Sequence, residues 1–203
     1  MIPRHLDGID AAIFDLDGTL VDSLEAHERA WIEVLEANRI PFTPARMNHL
    51  GGVPTAETIE ILADEAAMDV DVTAIAAAKE RRFLELMPGT IDRVEPVVAI
   101  ARSLHGRLPL AVATGSHGDV ARLMLDQSDL LPLFDQVVGS ADVARHKPEP
   151  DVYLEAAARL GVAPERCLAY DDAVGGIEAA RRARMTVVDT RDIWTPANRL
   201  FTA

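Results

Sequence analysis

The chain has 203 residues, of which 49% are hydrophobic but only 4% aromatic, and its formal net charge is −13. This length suits one α/β domain, or such a domain with a small insert, and the aliphatic content argues against a disordered chain. The negative charge argues against nucleic acid as a partner, because a nucleic-acid surface needs a basic footprint.

The first predicted strand is an apolar run from Ile9 to Phe14, which ends in Asp15, Asp17 and Gly18. Fully buried parallel strands are near-continuous apolar runs, and their ligands bind outside the carboxyl ends of the strands. Residues two apart on an extended chain share a face, so two negative charges would crowd together unless a cation or a proton intervenes. The pattern predicts a site for a hard metal ion. The alternative is an ordinary Asp-Gly surface turn.

Helical periodicity dominates the next part of the chain. Asp22 and Glu25 have the spacing of a capping box, and we expect their helix to reach about Asn38. A short helix, a turn at 51–55 and two longer helices follow, the last of them from Val72 to Met87. Pro88 and Gly89 then end the helical run. We therefore predict a helical cap at 21–88, inserted between the core segments 1–20 and 89–203.

Strands and helices alternate after the insert. The predicted strands after the first are 108–113, 134–138, 167–170 and 186–188. The predicted helices between or before them are 94–104, one that contains Val120, Leu123 and Met124, 152–160 and 177–183. Such alternation implies parallel strands joined by right-handed crossovers. The sequence therefore predicts an α/β core with a parallel sheet.

Polar residues follow several of these strands. Thr114, Gly115 and Ser116 follow the second strand, Lys147 comes after the third, and Asp171-Asp172 follows the fourth. Because parallel strands place their carboxyl ends at one edge of a sheet, we expect these groups to meet. Carboxylates and carbonyls suit Mg²⁺, whereas a hydroxyl, free backbone N–H groups and a lysine suit phosphate oxygens.

The remaining composition bears on location. Cys167 is the single cysteine and cannot form an internal disulfide. No apolar stretch approaches the roughly 20 residues of a membrane span, and the first five residues lack the pattern of a signal peptide. We expect a cytoplasmic protein that has no membrane partner.

Taken together, the motifs resemble those of the haloacid dehalogenase superfamily of phosphotransferases over nearly the whole chain. The four matching motifs are DLDGTL at 15–20, TGS at 114–116, Lys147-Pro148, and YDDAVGGIEAA at 170–180. DSLEAHERAW at 22–31 resembles the start of the helical cap in β-phosphoglucomutase-like members, and the segment around Gly52 resembles a cap substrate loop. The resemblance extends to the fructose-1-phosphate phosphatase-like group. It implies a Rossmann-like three-layer core with a parallel sheet and a small all-helical cap after the first strand.

The resemblance also implies roles for the core residues. Asp15 would attack phosphorus and become an aspartyl-phosphate, and Asp17 would act as the acid and then as the base. Thr114, the Gly115 amide and Lys147 would hold the phosphoryl oxygens. The implied Mg²⁺ ligands are Asp15, the backbone carbonyl of Asp17, Asp172 and, directly or through water, Asp171.

Four further residues are candidates for contact with the substrate, namely Ser116, His27, Gly52 and Lys79. Ser116 also suits a helix cap. His27 and Lys79 lie on or beside apolar helical stripes, so His27 is either an ordinary helix residue or faces the site. Lys79 either extends along the stripe to solvent or contacts the substrate.

The resulting prediction is a Mg²⁺-dependent phosphatase of small phosphomonoesters, with sugar phosphates such as fructose 1-phosphate favoured. We expect a monomer or a weak dimer.

The first alternative is a mutase of the β-phosphoglucomutase type, which needs a cation for a second phosphate. Thr55 stands where those mutases carry an arginine, and Thr19 replaces their valine, which favours hydrolysis, although Arg46 lies near enough to supply a cation. The second alternative is a non-catalytic phospho-acceptor domain, whose order of motifs differs from this one.

Overall fold

Five parallel strands form one sheet in the computed structural model, which describes residues 7–87 and 91–195. In the order β3-β2-β1-β4-β5, the strands are β1 (Ala11–Phe14), β2 (Leu110–Ala113), β3 (Gln136–Val138), β4 (Cys167–Asp171) and β5 (Thr186–Asp189). The predicted α/β fold is therefore confirmed. Three strands begin two residues later than predicted, because Ile9, Leu108 and Phe134 pack against the core as connecting chain rather than pairing in the sheet.

The register of the sheet brings the ends of its central strands level. β1 lies in the middle, where Phe14 is aligned with Val112 of β2 and with Tyr170 of β4. The rings of Phe14 and Tyr170 stack with their centroids 4.5 Å apart. The residues that follow β1, β2 and β4 therefore emerge side by side at the carboxyl edge of the sheet.

Helices cover both faces of the sheet, which makes the core three layers thick. On one face, the apolar cluster includes side chains of α5 (Glu95–Leu104) and α6 (Gly118–Gln127). On the other face, the cluster includes α7 (Asp151–Leu160) and α8 (Val174–Arg182). With helices on both faces, every residue of β1, β2 and β4 is buried, in agreement with their apolar sequences.

Two of the helix starts that differ from the prediction lie next to the carboxylates. The first helix begins after Ser23, whose hydroxyl donates to Asp17 rather than capping the helix, so the capping box expected from Asp22 and Glu25 is wrong. α8 begins at Val174, three residues before the predicted start, and includes Gly175 and Gly176. A Cβ on Gly176 would collide with the carboxylate of Asp171, so this glycine permits close packing.

Four helices lie between β1 and α5 in sequence. They are α1 (Leu24–Ala37), α2 (Pro44–His49), α3 (Thr55–Glu65) and α4 (Val72–Leu86), and we call them the cap. They and their loops share an apolar cluster that includes Trp31, Leu35, Ile59, Leu62 and Ile75. The division at 20/21 and 88/89 stays a prediction, and residues 88–90 lie outside the described chain.

The chain enters and leaves the cap through adjacent segments. The Asp22 amide donates to the carbonyl of Asp92 at 2.8 Å, and the Val94 amide donates to that of Leu20 at 3.0 Å. Val21 and Arg93 form an antiparallel bridge between these hydrogen bonds. The two connections are therefore paired beside the carboxyl end of β1. Within the described ranges, no helix combines the length and the apolar character needed to cross a bilayer.

Candidate active site

A cavity of about 740 Å³ lies between the carboxyl edge of the sheet and the cap. Ten of the eleven predicted site residues line it, whereas Asp171 is fully buried behind the wall. The core contributes Asp15, Asp17, Thr114, Gly115, Ser116, Lys147 and Asp172, and the cap contributes His27, Gly52 and Lys79. Residues scattered over more than 150 positions thus converge as the strand order predicts.

Lys147 joins two carboxylates at the floor of the cavity. Its Nζ donates to Asp15 Oδ1 at 2.6 Å and to Asp171 Oδ2 at 2.8 Å, and the residue is only 2% exposed. Burial disfavours the charged amine, but the attraction of Asp15 and Asp171 is stronger and raises the pKa of Lys147 above its ordinary value. Lys147 is therefore a fixed cation beside Asp15.

The acidic groups at the floor outnumber this cation. Carboxylate oxygens of Asp15, Asp171 and Asp172 all lie within 4.8 Å of one another. Burial, followed by the charges of Asp171 and Asp172, raises the pKa of Asp15 despite the opposing effect of Lys147. Such a crowded set of hard oxygen donors fits a divalent cation of the Mg²⁺ type.

Asp171 and Asp172 differ in their access to the cavity. Besides Lys147, Asp171 accepts hydrogen bonds from the Tyr153 hydroxyl at 2.5 Å and from the Ala173 amide at 2.8 Å. Asp172 accepts from the hydroxyl of the fully buried Thr19 at 2.9 Å and lines the cavity. Because Asp172 lines the cavity it is placed for direct contact with a cation, whereas Asp171 is fully buried behind the wall and accepts three hydrogen bonds within the protein.

Asp17 is held by side chains from both the cap and the core. Its Oδ1 accepts from Ser23 at 2.5 Å and lies 3.1 Å from His27 Nε2, while its Oδ2 accepts from Ser116 at 2.9 Å. Burial raises the pKa of Asp17, but His27 and the two hydroxyls outweigh that effect and hold the pKa well below its usual range. In this arrangement Asp17 is a carboxylate, the form that a general base requires.

The loop after β2 contacts the cap through two glycines. The Thr114 hydroxyl accepts from the Ser116 amide at 3.0 Å, which fixes the turn. A Cβ on Gly115 would collide with the carbonyl of Gly52, and Gly52 itself has a φ of +86° and packs against the Lys147 side chain. The predicted substrate loop of the cap therefore lies directly on the predicted phosphate loop of the core.

Lys79 turns into the molecule rather than outward along its helix. Its side chain is 3% exposed, and its Nζ lies 3.0 Å from His27 Nδ1 and 3.3 Å from Glu80 Oε1. The His27 ring stacks on Phe83 with centroids 3.8 Å apart. Of the two interpretations left open by the sequence, the structure excludes extension to solvent for Lys79, and it shows that His27 lines the cavity beside Asp17.

Sequence reasoning missed three residues of this region. Tyr153 falls on the apolar stripe of α7, Glu80 is one of many charges on α4, and Arg191 follows the last strand without a motif. Only tertiary contacts show that Glu80 and Arg191 line the cavity and that Tyr153 supports Asp171. Arg46, considered as a second cation, instead forms an exposed ion pair with Glu65.

Known proteins resemble this chain in sequence and in fold. A family described as haloacid dehalogenase-like hydrolase matches residues 9–184 of the chain. The chain belongs to this family. Its sequence is 39% identical over 181 residues to fructose-1-phosphate phosphatase YqaB of Escherichia coli (strain K12), covering 88% of this chain and 95% of that protein. The predicted resemblance is thus confirmed.

Two further likenesses concern mutases. The chain is 29% identical over 187 residues to the β-phosphoglucomutase of Bacillus subtilis (strain 168), covering 88% of this chain and 81% of that one. A crystal structure of β-phosphoglucomutase from Clostridium difficile superimposes with a TM-score of 0.79 at 22% identity, covering 88% of this chain and 83% of that one, which supports the fold. As a haloacid dehalogenase-like hydrolase with relatives named as phosphatases, the chain is a phosphoric monoester hydrolase.

Proposed function

We propose that this haloacid dehalogenase-like hydrolase is a Mg²⁺-dependent phosphatase of sugar phosphates, with fructose 1-phosphate as a representative substrate. The observation that carries the proposal is the placement of Lys147 Nζ 2.6 Å from Asp15, at the floor of a cavity that also contains Asp17. This gives a nucleophile, a fixed cation and an acid/base group at one point. The name of the Escherichia coli relative supports the choice of substrate.

In the first half-reaction, an oxygen of Asp15 attacks phosphorus and the bond from phosphorus to the sugar oxygen breaks. Asp17 gives its proton to the leaving oxygen. Asp17 must therefore be protonated before this step. Because its present hydrogen bonds favour the carboxylate, the substrate has to displace some of them so that the pKa of Asp17 rises. Ser116 and His27 both face the cavity, where a bound substrate competes for them.

In the second half-reaction, water attacks the phosphorus of the aspartyl-phosphate and Asp17 accepts a proton from that water. The bond from phosphorus to Asp15 breaks, which releases phosphate, restores the Asp15 carboxylate and leaves Asp17 protonated for the next turnover. Thr114, the Gly115 amide and Lys147 bind the phosphoryl oxygens in both steps, so charge that moves onto these oxygens is stabilised.

A bound Mg²⁺ would neutralise charge on Asp15 and on the phosphoryl group. Asp15, Asp172 and the backbone carbonyl of Asp17 are the residues that would hold it. The close set of three carboxylates supports this assignment. We propose that Asp171 contacts the ion only through water, because its carboxylate already accepts hydrogen bonds from Lys147, Tyr153 and the Ala173 amide.

The cap supplies the wall that faces the substrate. His27, Lys79 and Gly52 line the cavity from this side and face the substrate, and His27 also orients Asp17. A mutase function is disfavoured because Arg46 pairs with Glu65 outside the cavity. Membership of a hydrolase family disfavours a non-catalytic phospho-acceptor.

The test is a phosphate-release assay over hexose, pentose and polyol phosphates with Mg²⁺, with and without a chelator. Asp15→Asn should lose activity, because the amide is a poor nucleophile. Asp119→Asn is the matched control, since this aspartate is exposed on α6 and has a side chain that is 92% accessible. Activity that survives in Asp15→Asn, or a wild type that interconverts sugar phosphates without releasing phosphate, would contradict the proposal.

A further inference from the structure

We infer that Glu80 makes the cavity selective for phosphomonoesters whose distal part is uncharged and rich in hydroxyls, and that it rejects bisphosphates. This inference rests on the proposed function and deepens it, because it names the class of substrate. Glu80 lies on α4, and its carboxylate lines the cap side of the cavity.

The position of Glu80 is fixed by two contacts at one of its oxygens. Oε1 accepts from the Thr55 hydroxyl and from Lys79 Nζ, the latter at 3.3 Å. Within the described ranges, Oε2 has no such contact, although the side chain is 39% exposed. One oxygen therefore anchors the group, and the other is available to a hydroxyl of the substrate as an acceptor.

Glu80 keeps its negative charge in this position. Burial raises the pKa of Glu80, but the charge of Lys79 and the hydrogen bond from Thr55 are stronger, so the pKa lies below its ordinary value. Lys79 also lines the cavity but is more deeply buried, with a side-chain exposure of 3% against 39% for Glu80. The carboxylate is therefore the more accessible group of this pair.

The cavity offers little positive charge for a second phosphate. Among the described residues, the lysines and arginines that line it are Lys147, Lys79 and Arg191. Lys147 serves the reacting end, and Lys79 is paired with Glu80. Arg191 is paired with Asp189 through two hydrogen bonds of 2.8 and 2.5 Å. Glu28, a second carboxylate, also lines the cap side.

Electrostatics and hydrogen bonding therefore act in the same direction. A second phosphate near Glu80 would suffer like-charge repulsion, because Glu80 keeps its negative charge at the wall of the cavity. A sugar or polyol hydroxyl instead gains an acceptor that is already oriented. The carboxylate selects by repelling one class of ligand while binding another.

The experiment compares fructose 1-phosphate with fructose 1,6-bisphosphate, which differ by one distal phosphate. Dissociation constants are measured with Mg²⁺ in an Asp15→Asn background, so that turnover does not interfere. Adding Glu80→Gln should shift the ratio of the two constants toward the bisphosphate by about tenfold, the effect of losing one nearby charge. Glu85→Gln removes the same charge from the exposed side of α4, where Glu85 pairs with Arg82, and should leave the ratio unchanged.

A second measurement uses the wild-type protein alone, so it does not depend on whether a variant folds. Its preference for the monophosphate in phosphate release should shrink as salt is raised, because salt screens the repulsion. An unchanged ratio in Glu80→Gln, or a wild type that binds the bisphosphate as tightly as the monophosphate, would overturn the inference. Failure of the proposed function would give a different result, because the wild type would then bind fructose 1-phosphate without hydrolysing it.

Discussion

Thr19 donates a hydrogen bond of 2.9 Å to Asp172, although 153 positions separate the two residues. Both belong to the carboxyl edge of the sheet, one after β1 and the other after β4. Thr19 is fully buried, and its hydroxyl also lies 3.4 Å from that of Thr190. The hydroxyl therefore orients a carboxylate that we assign to the metal, as supporting residues around metal ligands commonly do.

Replacing Thr19 should therefore weaken the metal site. Thr19→Val keeps the shape of the side chain but removes the donor, and we expect the Mg²⁺ concentration for half-maximal activity to rise about tenfold or more. Thr19→Ser keeps the hydroxyl and should behave much more like wild type. Titration of activity with Mg²⁺ measures both variants, and equal curves for Thr19→Val and wild type would refute the assigned role.

The two buried lysines should differ greatly in how much stability is lost when each is replaced by methionine. Lys147→Met leaves Asp15 and Asp171 without their cation and should destabilise the metal-free protein by about 3 kcal/mol or more. Lys79→Met should change stability far less, because burial already lowers the pKa of Lys79 and Glu80 stays partly exposed. Urea unfolding in chelator measures the free energies, and similar losses in the two variants would contradict this.

The contact between Gly115 and Gly52 predicts a steric effect on activity. Gly115→Ala would push a methyl group into the Gly52 carbonyl, so the cap loop and the phosphate loop must separate. We expect kcat/KM to fall at least about tenfold, since small displacements of positioning groups are costly. Gly118→Ala is the control, because its added Cβ approaches only Asp142 Oδ2, at 3.9 Å. A fully active Gly115→Ala protein would show that the contact is dispensable.

Cys167 should be unreactive until the protein unfolds. Burial raises its thiol pKa from an ordinary value of 9.0 to about 11, so at pH 8 very little thiolate exists in the folded state. We expect modification by a disulfide reagent at pH 8 to be at least roughly a hundredfold slower than in urea. Rapid reaction of folded protein would refute this.

The same shift predicts a dependence of stability on pH. Between pH 9 and about 11 the unfolded thiol ionises while the folded thiol stays protonated, so the folded state binds more protons. The contribution of Cys167 to the free energy of unfolding is therefore complete below pH 9 and is lost as the pH rises toward 11. Cys167→Ala should show a shallower loss of stability across this range, and identical slopes would count against it.

The order of elements and the core of the site could be predicted from the sequence because they follow from topology. Once β1, β2 and β4 are read as parallel strands, Asp15, Thr114 and Asp171 must emerge at one edge. Lys147 could be added because its loop follows β3. The boundaries were less certain, since apolar residues such as Phe134 pack equally well in a strand or just before one.

The rest of the site depends on contacts that periodicity does not encode. Nothing in the sequence of α7 distinguishes Tyr153 from an ordinary core aromatic residue, and its bond to Asp171 arises from the packing of α7 under the sheet edge. Ser23 appeared within a helix start, but its hydroxyl serves Asp17. In the sequence, Thr19 bears only on whether water or a sugar accepts the phosphoryl group. The structure shows a second role, because its hydroxyl donates to Asp172.

The paired segments around Val21 and Arg93 mean that the cap joins the core at a single two-stranded junction. A different helical module that presented two antiparallel ends at the same spacing could be grafted there. The graft would leave the strand order and the carboxylates at the sheet edge in place. The exchange would replace the residues that face the substrate, and the new module would have to supply a partner for Asp17 in place of His27.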